Sequence, residues 1–370
     1  MNIPFVDLKT QYNALKENID ARIHKVLDHG AYINGPEVVE LEKKLSEYTG
    51  AKYALTCASG TDALTIPMMA LGIGRGDEVI TTAFSFIATA ETIVLAGATP
   101  VYIDIEPKTF NMDVSQIEKA ITPKTKAIMP VSLYGHIAEM KEIHAIAKKH
   151  GLHVIEDAAQ SFGAVQDGKK SCNVSASAGT SFFPAKPLGG YGDGGAMFTN
   201  DENIAKIMKE IREHGSETRY YHTRLGMNGR LDTLQCAILL AKLERYPWEL
   251  EQRERVAKKY AAAFADVKQK DFSYPQVLAG NQSAWAQYTL TVGDRPGFEK
   301  KMKEFGVPTS VHYPRTMPDQ PWYKENTTRV VGDIKNARWA AEHVISIPMF
   351  PDMDDKTQEY IIEHTLKALK

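Results

Sequence analysis

The sequence predicts an α/β protein, a mainly parallel sheet covered by helices on both faces, followed by a smaller α/β unit. Two observations carry this. Between residues 53 and 157 strand-like and helix-like segments alternate. The strand-like segments are nearly continuous apolar runs, as strands buried on both faces must be. After residue 200 the pattern changes to longer helices, and the smaller unit is read from about Pro247 on.

Taken in order, residues 8–27 have helical apolar spacing closed by Gly30–Gly35, and 38–48 form a second amphipathic helix with Glu40, Lys43, Lys44 and Glu47 on its wet face. The segments 53–57, 78–82, 101–105, 127–132 and 153–157 read as strands. Between them 62–71, 87–96, 114–121 and 138–150 read as helices. A short strand at 196–200 precedes helices at 204–214 and 233–246, and Pro247 is expected to break the chain there. A charged helix at 250–267 then bridges to a strand at 285–292, a helix at 298–305, a strand at 307–313 and two helices near the carboxyl terminus. The expected division is a large domain at 1–247 and a small one at 248–370, on which the first helix could pack.

Composition narrows the class. The 370 residues carry a net charge of -2, with no basic tract for nucleic acid and no apolar run long enough to span a membrane. The start Met1–Asp7 lacks the basic and apolar regions of a signal peptide. Cys57, Cys172 and Cys236 are odd in number and far apart, which fits a reducing cytoplasm. The 11 histidines include no H-x-x-x-H pair, so no metal site is expected.

The chemistry centres on GTSFFPAKPLGGYGDGGA, residues 179–196. Lys186 lies there between a strand-like Phe182-Phe183 and a loop in which glycine lets the backbone approach a ligand. A lysine amine becomes a nucleophile when its pKa is lowered or when it forms a Schiff base with a carbonyl cofactor; an exposed turn lysine is the plainer alternative. The same loop contains G-x-G-x-x-G, but a strand follows it where a dinucleotide site needs a helix, so a nicotinamide enzyme is rejected.

Three other stretches complement the lysine. Asp157 ends the strand of VIEDAAQS, where α/β sheets bind ligands; it could partner a protonated pyridine or simply cap a helix. CASGTDAL offers a strand, a small-residue turn and a helix start, a phosphate seat or an ordinary N-cap. In GMNGRLD, Asn228 and Arg230 could bind an anion or belong to a surface turn. Together they supply what pyridoxal phosphate chemistry requires of a protein.

These motifs, with GAYINGPEVVELE, SFFPAKPLGGYGDGGAMFTN, GMNGRLDTLQCAIL and VPTSVHYP, occur in an order that resembles the DegT/DnrJ/EryC1/StrS nucleotide-sugar aminotransferases, fold-type I pyridoxal phosphate enzymes, over essentially the whole chain. The resemblance implies a seven-stranded, mainly parallel sheet in the large domain. It implies Lys186 as the Schiff-base lysine, Asp157 as partner of the pyridine nitrogen, Gln160 on the cofactor hydroxyl and Phe84 stacked on its ring. Gly60, Thr61 and Ser181 would hold the phosphate, with Asn228 reaching in from the partner of a homodimer. Arg230, His312 and Tyr313 would meet the sugar. A dehydrating branch has His at the Schiff-base position, so Lys186 implies transamination; Pro187 and Gly190 depart from many relatives within the loop. The expected reaction moves an amino group from glutamate to a keto-sugar nucleotide. The resemblance is closest to enzymes acting on the 3-keto group of a UDP-linked 2-acetamido hexuronic acid for O-antigen and other lipopolysaccharide synthesis. Alternatives are a 4-keto-6-deoxy sugar substrate and a cofactor-binding regulator without turnover.

Overall fold

The computed structural model describes residues 3–326 and 329–370; Met1 and Asn2, read above with the amino-terminal start, lie outside them. Helix α1 (Leu8–His29) begins where the Asp7 carboxylate accepts from Thr10 N–H and ends at Gly30, whose φ of 68° closes the last turn onto Val26. Helix α2 (Pro36–Thr49) starts with proline at its first position. Then follow β1 (Tyr53–Cys57), α3 (Gly60–Ala70), β2 (Glu78–Thr82), α4 (Ala88–Leu95), β3 (Thr99–Ile103), β4 (Thr125–Met129), α5 (Met140–His150) and β5 (His153–Asp157). Strands β6 (Ser177–Ser181) and β7 (Gly195–Thr199) flank the glycine-rich loop.

The sheet runs β1-β7-β6-β5-β4-β2-β3, with the two-residue segment Arg329–Val330 as an eighth, edge strand. Only β7 runs antiparallel to its neighbours. The seven strands expected of the large domain are therefore present, and the eighth comes from the last third of the chain. Adjacent residues in one strand serve opposite faces. Val79 and Ile155 pack with α3 and α4, while Ile80 and Val154 pack with α5. Each such buried aliphatic side chain contributes about 1.5–3 kcal/mol relative to exposure, which is why these strands read as continuous apolar runs.

Strand β6 was not foreseen, because Ser-Ala-Gly-Thr-Ser has no apolar run. The structure explains the composition. Helix α3 lies so close that a Cβ on Gly179 would come within 2.3 Å of the Ala63 carbonyl oxygen.

Two expectations need correction downstream of helix α6 (Glu202–Arg212). Helix α7 runs unbroken from Thr233 to Phe264 with Pro247 inside it, so the division expected at 247 falls within a helix. A mid-helix proline costs on the order of 3 kcal/mol, but packing on both sides of it outweighs that. Tyr246 is fully buried against the first core, and Val256, Tyr260 and Phe264 are buried in the last. Helix α1 packs on the first half of α7, Ile19 meeting Ile238 and Ala241, and Gln11 donates to Glu249 at 2.8 Å.

In the carboxyl-terminal part, β8 (Tyr288–Thr291) pairs with β9 (Val344–Ile347), flanked by α8 (Arg295–Glu304), α9 (Lys335–His343) and α10 (Asp355–Leu369). The strand expected at 307–313 makes only an isolated bridge between Ser310 and Ser346. Strand β9 pairs in full with β8, and the segment that follows Ser310 carries His312 and Tyr313 to the cavity wall.

Candidate active site

Strands β1, β5 and β6 point the same way and end together at Cys57, Asp157 and Ser181. Ligands in such sheets bind beyond the carboxyl ends of the strands. Here those ends, with the loop carrying Lys186, enclose a cavity of about 450 Å³.

Asp157 is buried at its floor. One carboxylate oxygen accepts from the Thr89 hydroxyl at 2.7 Å and the other from Ala159 N–H at 3.1 Å. Burial raises its pKa, against the pull of those two donors and of the Lys186 charge. Burial acts oppositely on Lys186, lowering the pKa of its amine, while Asp157 draws it back up. The lysine turn is braced by its own backbone: Lys186 N–H bonds Phe183 O at 2.9 Å and Gly190 N–H bonds Phe182 O at 2.7 Å. A Cβ on Gly189 would lie 2.4 Å from Pro184 O, so the turn admits only glycine there. From α7, Gln235 accepts Tyr191 N–H at 2.8 Å and anchors the rest of the loop.

At the start of α3, the Ser59 hydroxyl caps Asp62 N–H at 3.0 Å. The first-turn N–H groups of Gly60 and Thr61 have no preceding helical turn to bond and face an incoming anion. A Cβ on Gly60 would come within 2.7 Å of Ser181 Cβ. Ser181 Oγ accepts Phe183 N–H at 3.2 Å and keeps its own proton to donate.

The opposite wall is built from Gln160, His312 and Tyr313. Gln160 accepts from Tyr134 N–H at 2.8 Å and donates to the Tyr313 hydroxyl at 3.0 Å. Burial, then the nearby Asp157 charge, pushes the Tyr313 hydroxyl up, so it keeps its proton. His312 sits between Ser346 Oγ at 2.9 Å and Ser310 Oγ at 3.3 Å. Burial, with the Lys186 charge, lowers it to about 4, so it is neutral near pH 7.

Three residues singled out in the sequence stand elsewhere. Phe84 is fully buried, its ring among Phe110 and Tyr313, because its N–H turns back onto Thr82 Oγ1 at 3.2 Å as β2 ends. Phe86, two residues on and half exposed, lines the cavity wall, as Phe84 does not. Asn228 is exposed, in a bridge to Glu213, and Arg230 pairs with Glu213 at 3.2 Å; neither lines this cavity. Sequence reading also missed Ser85, Thr89 and Gln287 on the wall. The Ser-x-x-x-Thr spacing at the entry to α4 was the one available signal, since it stacks two hydroxyls a helical turn apart.

The arrangement fits pyridoxal phosphate. A buried carboxylate suits a cationic ring nitrogen, a helix start with two hydroxyls suits a phosphate, and a lysine amine of lowered pKa suits a carbonyl. Comparison with known proteins agrees. The chain is 52% identical over 353 residues to the UDP-2-acetamido-2-deoxy-3-oxo-D-glucuronate aminotransferase of Pseudomonas aeruginosa, covering 95% of this chain and 96% of that one. It is 43% identical to a pleiotropic regulatory protein of Geobacillus stearothermophilus, covering 98% and 97%. The structure of ntda from Bacillus subtilis with bound cofactor PMP superposes with a TM-score of 0.92 at 31% identity, covering 100% of this chain and 85% of that one. Fold, site and these relatives together define a pyridoxal-phosphate-dependent sugar transaminase. The chain belongs to the DegT/DnrJ/EryC1/StrS aminotransferase family, which it matches over residues 13–366.

Proposed function

We propose that this transaminase aminates the 3-keto group of a UDP-linked 2-acetamido hexuronic acid, with glutamate as donor, in the cytoplasm and for O-antigen or related lipopolysaccharide synthesis. The observation that carries the substrate assignment is the 52% identity, over nearly the full length of both chains, to an enzyme named for that sugar.

When bound, the cofactor supplies an electron sink for charge left on the donor's α-carbon. Asp157 balances the charge of a protonated ring nitrogen in a buried place where an unpaired carboxylate would be costly. Gly60, Thr61 and Ser181 would hold the phosphate and Gln160 would meet the ring hydroxyl, while Phe86, on the cavity wall where Phe84 is not, would supply the ring contact. Lys186 Nζ, its basicity lowered by burial, would take the proton from the donor's α-carbon and deliver it to the cofactor. Neutral His312 and protonated Tyr313 offer hydrogen bonds to sugar hydroxyls. The protein works as a homodimer in which Asn228 of one chain completes the phosphate seat of the other, with Arg230 turned to the sugar. The exposed Asn228, off its own chain's cavity wall, supports that reading.

The test is a panel of keto-sugar nucleotides offered with glutamate and read by mass spectrometry. The UDP-3-keto-hexuronic acid should gain an amino group fastest. Preference for a 4-keto-6-deoxy sugar would replace the substrate assignment, and failure to exchange an amino group with glutamate at all would favour a regulator.

A further inference from the structure

The Asp157 carboxylate does not stand alone. Thr89 Oγ1 donates to its Oδ2 at 2.7 Å, and Ser85 Oγ lies 3.1 Å from Thr89 Oγ1. Thr89 and Asp157 are buried, and Ser85 is on the cavity wall. Direction follows from donor counting. An ionised carboxylate only accepts, so the single Thr89 proton goes to Asp157, and the Ser85–Thr89 contact must then be made by the Ser85 proton. The two hydroxyls form a one-way chain from cavity to carboxylate, and Ser85 presents lone pairs alone to the cavity. With Ala159 N–H at 3.1 Å on the other oxygen, both carboxylate oxygens are held and the plane of the group is fixed.

We propose that Thr89, backed by Ser85, is the positioning residue that orients Asp157 toward the cofactor. This rests on the reading of Asp157 as partner of the ring nitrogen. Geometry favours it over a packing role. Thr89 sits in the first turn of α4, where its hydroxyl could have returned to a backbone carbonyl as Thr65 does to Thr61. It crosses instead to β5, 68 residues away in sequence. Valine at 89 keeps the shape and loses the donor; serine keeps the donor and loses the methyl.

The experiment uses the holoenzyme and reads three quantities in T89V, T89S, S85A, D157N and the T89V/D157N double variant. These are the dissociation constant for pyridoxal phosphate, the single-turnover rate with glutamate, and KM for glutamate. T89V should lower the rate by about 10- to 100-fold and weaken cofactor binding by about 10-fold, the size of one lost hydrogen bond to a charged group. KM for glutamate should stay within about twofold, since Thr89 touches no donor atom. T89S should restore most of the loss, and S85A should cost less than T89V because Thr89 still donates. Adding T89V to D157N should cost little more, because both act through one group. If D157N is impaired and T89V is not, or T89S is as impaired as T89V, the positioning role is overturned. If D157N itself is unimpaired, the reading of Asp157 fails instead.

Discussion

His136 shows how far a single buried side chain can set the behaviour of the whole protein. It is 6% exposed, and its Nε2 lies 2.9 Å from the Asn281 amide nitrogen, which can only donate, so the ring accepts and is neutral. Burial lowers its pKa to about 4. The unfolded chain takes up a proton near the ordinary value of 6.5, and the folded chain does not until about pH 4. Stability carried by the neutral ring is therefore complete above pH 6.5 and is lost as pH falls through that window, by up to roughly 3 kcal/mol. His136→Gln removes the titration and keeps an acceptor. Denaturant unfolding at several pH values should show the variant gaining on the wild type between pH 6.5 and 4, and parallel curves would contradict this. Residues of the site differ in how visibly the sequence marks them. Lys186 and Asp157 announce themselves by their settings, a glycine-rich turn and a strand end. Phe84 misled because which of two nearby aromatics faces the cavity depends on a backbone turn onto Thr82 that no pattern encodes.

At the scale of elements, the strands of the first half were legible because burial on both faces demands apolar residues throughout. Strand β6 was not, since it has no apolar run, and at Gly179 α3 presses so close that no side chain fits. Gly179→Ala places a methyl against the Ala63 carbonyl rather than against a pliable side chain. It should destabilise the protein by about 1–3 kcal/mol, the usual cost of overpacking. It should also weaken cofactor binding, because shifting α3 moves Gly60 and Thr61. Unchanged thermal unfolding in Gly179→Ala would show that the contact relaxes freely. Helix α7 teaches a complementary lesson. Proline is a reliable helix breaker only where local preference decides, and here two buried faces on either side of Pro247 decide instead. The strand expected at 307–313 is reduced to a single bridge, Ser310 to Ser346 of β9, which is itself paired along its length with β8.

For the whole molecule, the proposed homodimer with shared sites makes activity a property of two chains. On that proposal Lys186→Ala chains would lack the reactive amine, and Asn228→Ala chains would lose one phosphate contact in the partner's site. Hybrids formed by subunit exchange contain one site with both groups intact and one with neither. At limiting pyridoxal phosphate, mixed chains should be more active than the sum of the separate variants. Complete exchange, verified by mass spectrometry of tagged chains, without any rise would mean that Asn228 serves its own chain. The fold class was open to sequence reading because alternation over more than a hundred residues averages out local error; a contact between chains would not be, because no periodicity records it.

The central claim is that Lys186 is the amine that bonds pyridoxal phosphate. Borohydride reduction fixes the cofactor to whichever amine holds it, so the purified yellow protein should lose its colour and carry one pyridoxyl group on the peptide containing Lys186, with none in Lys186→Ala. Pyridoxyl on a different lysine, or equal labelling of Lys186→Ala, would contradict the account.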